Sequence, residues 1–78
     1  MHALPDDFAT TLSRVIDSRE QEAAAEIIEA ATMLDDEGLR NFLSLFAQRV
    51  SASDAPIRAE ELRRFLQRSA RGYRKRAP

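Results

Sequence analysis

The sequence predicts an all-α fold: a compact antiparallel bundle of three or four short helices, expected to pair as a homodimer. Three observations carry that expectation. The only glycines are Gly38 and Gly72, and Pro5, Pro56 and Pro78 stand at segment boundaries. No stretch alternates at period two for long enough to make a strand, whereas apolar residues recur at spacings of three and four. Finally, 78 residues without a cysteine form a small core, since a chain of this size buries only about 60% of its unfolded surface. A single histidine, His2, cannot build a structural zinc site. Dense helix packing and self-association are the supplements left.

The first helix is expected to open around "LPDDF", with Pro5 in its first turn and Asp6 and Asp7 at its positive end. Leu4, Phe8, Leu12, Val15 and Ile16 form its stripe. Ser18 with Gln21 three residues on fits a capping box, which favours a new helix there. The alternative is one long bent helix, because neither glycine nor proline interrupts residues 6–34. Ala23, Ala24, Ile27, Ala30, Ala31 and Leu34 share a face of the second helix, and its small residues allow close approach of a neighbour. The third helix spans "DDEGLRNFLSLFAQRV", capped by Asp35 or Asp36, and Leu39, Phe42, Leu43, Phe46 and Val50 should be the centre of the core. "SASDAP" reads as a loop. The fourth helix is "IRAEELRRFLQRSARGY", with Leu62, Phe65, Leu66, Ser69 and Tyr73 inward and Gly72 as its expected end. Residues 1–70 then form a helical bundle domain and residues 71–78 a basic C-terminal tail.

"PIRAEELRRFL" resembles the last loop and helix of histone-fold proteins. The resemblance departs from that family where a long central helix should stand, because "LDDEGL" interrupts it, and no family function follows.

Charge is strongly partitioned. Residues 1–55 hold eleven acids and four bases, a balance of −7, whereas residues 56–78 hold eight bases and two acids, a balance of +6. Such asymmetry points to a basic arm with an acidic partner, or to pairing of opposite ends. On a regular helix Arg63, Arg64, Arg68, Arg71, Arg74 and Lys75 fall within an arc of about 140° opposite Leu62 and Phe65. A solvated face whose charges suit the helix dipole is the plainer account, with Glu60 and Glu61 in the first turn and Glu60 four residues before Arg64. No acid follows Glu61, however, and arginine favours bidentate contact with phosphate or carboxylate. Arg63, Arg64, Arg68, Arg71, Arg74, Lys75 and Arg76 are therefore the candidate residues for binding nucleic acid or an acidic partner. On the second helix Glu22, Glu26 and Glu29 stand at repelling spacings, which suggests that a basic surface, the fourth helix, faces them. Leu45 lies off the apolar stripe of its helix and hints at an oligomer contact.

Other chemistry finds little support. His2 alone titrates near neutrality, so no catalysis is expected. Asp35, Asp36 and Glu37 lack the spacing of a calcium loop and suit a helix N-terminus, so no cofactor or metal is expected. A helix-turn-helix reading fails because the third helix offers Asn41, Ser44, Leu45 and Gln48 outward with Arg40 alone at the edge. "MHALPDDFATTL" has no basic leader followed by an apolar run, and no apolar run approaches the length of a membrane span. The expectation is a cytoplasmic, non-enzymatic regulator that binds nucleic acid mainly through phosphates, with little sequence preference. The alternative is a protein-interaction module, such as an inhibitor, antiactivator or adaptor, whose arginines meet an acidic protein. Peripheral contact with an anionic membrane is disfavoured, since the apolar face of the fourth helix is committed to the core.

Overall fold

Helix α1 (Asp6–Val15), a single 3-10 turn (Ser18–Glu20), α2 (Ala23–Thr32), α3 (Asp36–Ala52) and α4 (Ala59–Arg74) follow one another along the chain. The structure is a computed structural model that describes the backbone of residues 5–74 and the side chains of residue 5 and of residues 7–70. There is no strand among the described residues, and no described helix is long and apolar enough to cross a membrane.

Pro5 sits just before α1, not inside its first turn, and its carbonyl accepts from the Phe8 amide at 3.0 Å. Phe8, Leu12 and Ile16 recur every four residues and are buried. Leu4, expected at the head of this stripe, lies outside the described residues. The helix stops because Ile16 turns extended, at φ −71° and ψ 148°. Its neighbours then bond across the fold: the Ile57 amide donates to the Val15 carbonyl and the Asp17 amide to the Ile57 carbonyl, both at 2.9 Å. This isolated parallel bridge sets two buried β-branched residues side by side and fastens the α1 terminus to the loop before α4.

Residues 6–34 are therefore two helices with a break, not one long helix. The cap differs from expectation. Asp17, not Ser18, accepts from the Arg19 amide at 2.9 Å, and the Gln21 side chain donates back to the Ser13 carbonyl at 2.7 Å. On α2, Ala24, Ile27 and Ala31 are buried, followed by Leu34 just past its end. At the start of α3 the Asp35 carboxylate accepts from the Gly38 amide at 2.7 Å, satisfying one of the orphan donors every helix start leaves.

Helix α3 supplies the middle of the core, with Leu39, Phe42 and Phe46 buried and Leu43 and Val50 packed at its margin. Phe8 stands edge-on to Phe42 and to Phe46, with ring centroids at 5.9 and 5.1 Å, a geometry that adds about 0.5–1.5 kcal/mol per pair beyond burial. Helix α4 closes the structure, packing most extensively on α3 and also on α2. Leu62 and Ser69 are buried and Phe65, Leu66 and Ala70 partly so. The helix passes through Gly72, its expected end, and continues to Arg74. Leu45 is half-buried. Among the described residues, Met33 is the large apolar side chain left exposed.

Candidate functional site

The position of α4 is set by two contacts from distant parts of the chain. Glu20, in the 3-10 turn, accepts from the Ala59 amide at 2.8 Å and from the Arg58 guanidinium at 3.3 Å. An acid thirty-nine residues upstream thus does the work of a local N-cap. The Ala59 amide first, and then Arg58, hold the Glu20 carboxyl below its usual range; the same pair raises Arg58. Asp17 is lowered as well, chiefly by the Arg19 amide. From α3, Arg49 bonds Glu61 at 2.7 Å and reaches the Ala55 and Pro56 carbonyls at 3.3 and 3.4 Å. One guanidinium therefore ties together α3, α4 and the loop between them. Its Nη1 is buried without a partner among the described residues.

Arg63, Arg64 and Arg68 all lie exposed on α4, but their surroundings differ. Arg63 reaches across to Glu26 on α2 at 3.1 Å, and Arg64 pairs with Glu60 one turn earlier at 3.0 Å. The first contact is the expected meeting of the α2 acids with α4, and Glu26 makes it; the Glu26 carboxylate raises Arg63. Arg68 has no ion pair among the described residues, and neither has Arg40 on α3. The side chains of Arg71 and Arg74, and Lys75 and Arg76 entirely, lie outside the described residues.

Arg68 and Arg40 line one groove between α3 and α4, of about 510 Å³, together with Asp35, Glu37, Gly38, Asn41, Ser44 and Ser69. At its floor the two helices approach closely. A Cβ on Gly38 would stand 3.3 Å from the Ser69 carbonyl oxygen and 2.9 Å from the capping Asp35 oxygen. Beside this contact Asn41 donates to the Ser69 hydroxyl at 3.1 Å, which donates in turn to the Phe65 carbonyl at 2.9 Å. Of the outward polar residues of α3, poor material for a recognition helix, Asn41 bonds α4, while Arg40 and Ser44 line the groove beside it.

No family model, curated protein or solved structure matches this chain. Among the described residues no three histidine, cysteine or acidic side chains are grouped to hold a metal ion. The contacts that sequence reasoning missed are Glu20 with Ala59 and Arg49 with Glu61. Neither has a local signal: in one a backbone amide meets an acid thirty-nine residues away, and in the other Arg49 and Glu61 are ordinary surface residue types at no characteristic spacing.

Proposed function

We propose that this protein is a small non-enzymatic regulator whose α4 and following basic residues bind nucleic acid through phosphates. The observation that carries this is the uneven neutralisation of the arginines. Arg58, Arg63 and Arg64, in the first half of α4 and just before it, already meet carboxylates of their own chain. Arg68 does not, and the sequence continues with Arg71, Arg74, Lys75 and Arg76 without another acid. Positive charge therefore concentrates toward the end of the helix, opposite in sign to the acidic first part of the chain. A cationic patch of that kind raises the local concentration of polyanions and speeds their capture. Five such bases, each releasing about one counterion on contact, give an expected log–log salt slope of about −4 to −5 on duplex DNA.

The proposal includes an antiparallel arrangement of the helices, assembly as a homodimer and residence in the cytoplasm. Dimerisation would place two basic ends on one polyanion and supply the burial a small core lacks. Fluorescence anisotropy with duplex and single-stranded oligonucleotides at low salt tests the reading. Submicromolar to micromolar binding that weakens steeply with salt is expected. Absence of binding at low salt would reject it, and the acidic-protein reading, in which carboxylates meet Arg68 as they meet Arg63 and Arg64, would replace it.

A further inference from the structure

Of the chain's four phenylalanines, Phe8, Phe42 and Phe46 are buried, while Phe65 on α4 packs against the core and stays partly exposed. It lines a groove of about 410 Å³ together with Arg58, Glu60, Glu61, Arg64 and Arg68. Three arginines against two glutamates leave that groove a balance of +1. Both acids are already engaged, Glu60 by Arg64 and Glu61 by Arg49, and Arg58 is engaged by Glu20. Arg68 has no ion pair among the described residues. It stands three positions after Phe65, which puts the two side chains on one face of the helix. A half-buried aromatic alone is ordinary; here it has an unspent cation beside it.

We infer that Phe65 is a stacking platform for one base of a single strand, with Arg68 on the neighbouring phosphate. The inference rests on the nucleic-acid reading above and adds to it a contact residue that only unpaired strands engage. A nucleotide joins a flat face to an anion, the two features that Phe65 and Arg68 complement. Electrostatics alone favours the duplex, whose charge density is higher, so a contact confined to single strands must be of a second kind. An aromatic side chain supplies it. An unstacked base lays its π-face on the ring, whereas bases in a duplex are stacked on one another and closed to it. Phosphate is drawn to Arg68 because no carboxylate among the described residues neutralises that guanidinium. Every base has a π-face, so this contact reads no sequence.

The test is anisotropy titration of the full chain with an oligothymidylate and with a duplex of the same length, at one low salt concentration. Phe65→Leu keeps an apolar side chain against the core and removes the ring, with circular dichroism to confirm the fold. It should weaken single-strand binding about fivefold to tenfold, as expected for one lost base–aromatic contact, and leave duplex affinity unchanged. Phe65→Tyr, which keeps a π-face, should bind the single strand as the intact chain does. Arg68→Ala should weaken both ligands and reduce the salt slope by about one. Phe65→Trp places the chain's only tryptophan at the site, and its fluorescence should be quenched by oligothymidylate and not by the duplex. Equal weakening of both ligands in Phe65→Leu, weakening of neither, or oligothymidylate binding without quenching in Phe65→Trp overturns this inference and leaves the phosphate reading intact. Failure of both oligonucleotides to bind the intact chain overturns both.

Discussion

Gly38 gives up about 1 kcal/mol of helix propensity relative to alanine, yet alanine is the worse residue at this place. A methyl there would stand 2.9 Å from the Asp35 oxygen that caps α3. That oxygen cannot swing aside without releasing the Gly38 amide, and a lost cap costs about 1 kcal/mol, which already cancels the gain. The methyl would also press on the Ser69 carbonyl at 3.3 Å, part of the backbone of α4, so the helices must separate slightly at this close approach. Gly38→Ala is therefore expected to destabilise by about 1 kcal/mol, a fall of roughly 4–8 °C in melting temperature for a chain of this size. Thermal unfolding followed by circular dichroism measures it, and a higher melting temperature would show that α3 and α4 are not in contact there. The same scale explains why the core was legible in the sequence. Phe42 and Phe46 are large, apolar and four apart, so periodicity alone turns both inward, and both are buried. The role of Gly38 was not legible, because its neighbour Ser69 lies thirty-one positions away and only a folded chain brings them together.

Between elements, the held carboxylates make stability depend on pH. Glu20 has its pKa lowered from the ordinary 4.5 and Asp17 from the ordinary 3.8. The unfolded chain takes up these protons at a pH where the folded chain still refuses them, so acidification favours unfolding. Their contribution is complete above about pH 4.5 and is lost as pH falls through the folded values. Melting temperature should fall below that point, and less steeply in Glu20→Gln, which can still accept from the Ala59 amide but no longer titrates. An identical acid profile in the variant would mean that Glu20 does not hold α4. The three glutamates, two on α2 and one just before it, divide by partner. Glu26 meets Arg63, whereas Glu22 and Glu29 have no ion pair among the described residues and repel Glu26 by a few tenths of a kcal/mol each. Replacing Glu22 and Glu29 with glutamine should slightly raise the melting temperature, and Glu26→Gln should lower it. The reverse pattern would place the wrong acid against α4. Helix boundaries show how far local signals carry. The break after α1 lies where the capping pattern near Ser18 puts it, but Asp17 makes the cap and Gln21 folds back on Ser13. The Asp17 amide is drawn into the bridge with Ile57, forty residues on, which no window around Ser18 contains.

For the whole molecule the question is where its unbalanced charge goes. A chain of net charge −1 keeps +6 in residues 56–78, and the ion pairs to Glu20, Glu26 and Glu60 use Arg58, Arg63 and Arg64, in the early part of α4 and just before it. Partition of charge was legible by counting, and so was the meeting of the α2 acids with the fourth helix; which glutamate meets which arginine was not, since Glu26 and Arg63 meet only once α2 and α4 pack. The remainder, Arg68 together with Arg71, Arg74, Lys75 and Arg76, carries the functional account. Its most direct test is the salt dependence of duplex DNA binding by the intact chain and by a variant with Arg71, Arg74, Lys75 and Arg76 all replaced by glutamine, a residue that keeps helix propensity. The account predicts a log–log slope of about −4 to −5 for the intact chain and about −1 for the variant, with helicity unchanged. Equal slopes, or no binding by the intact chain at low salt, would contradict it.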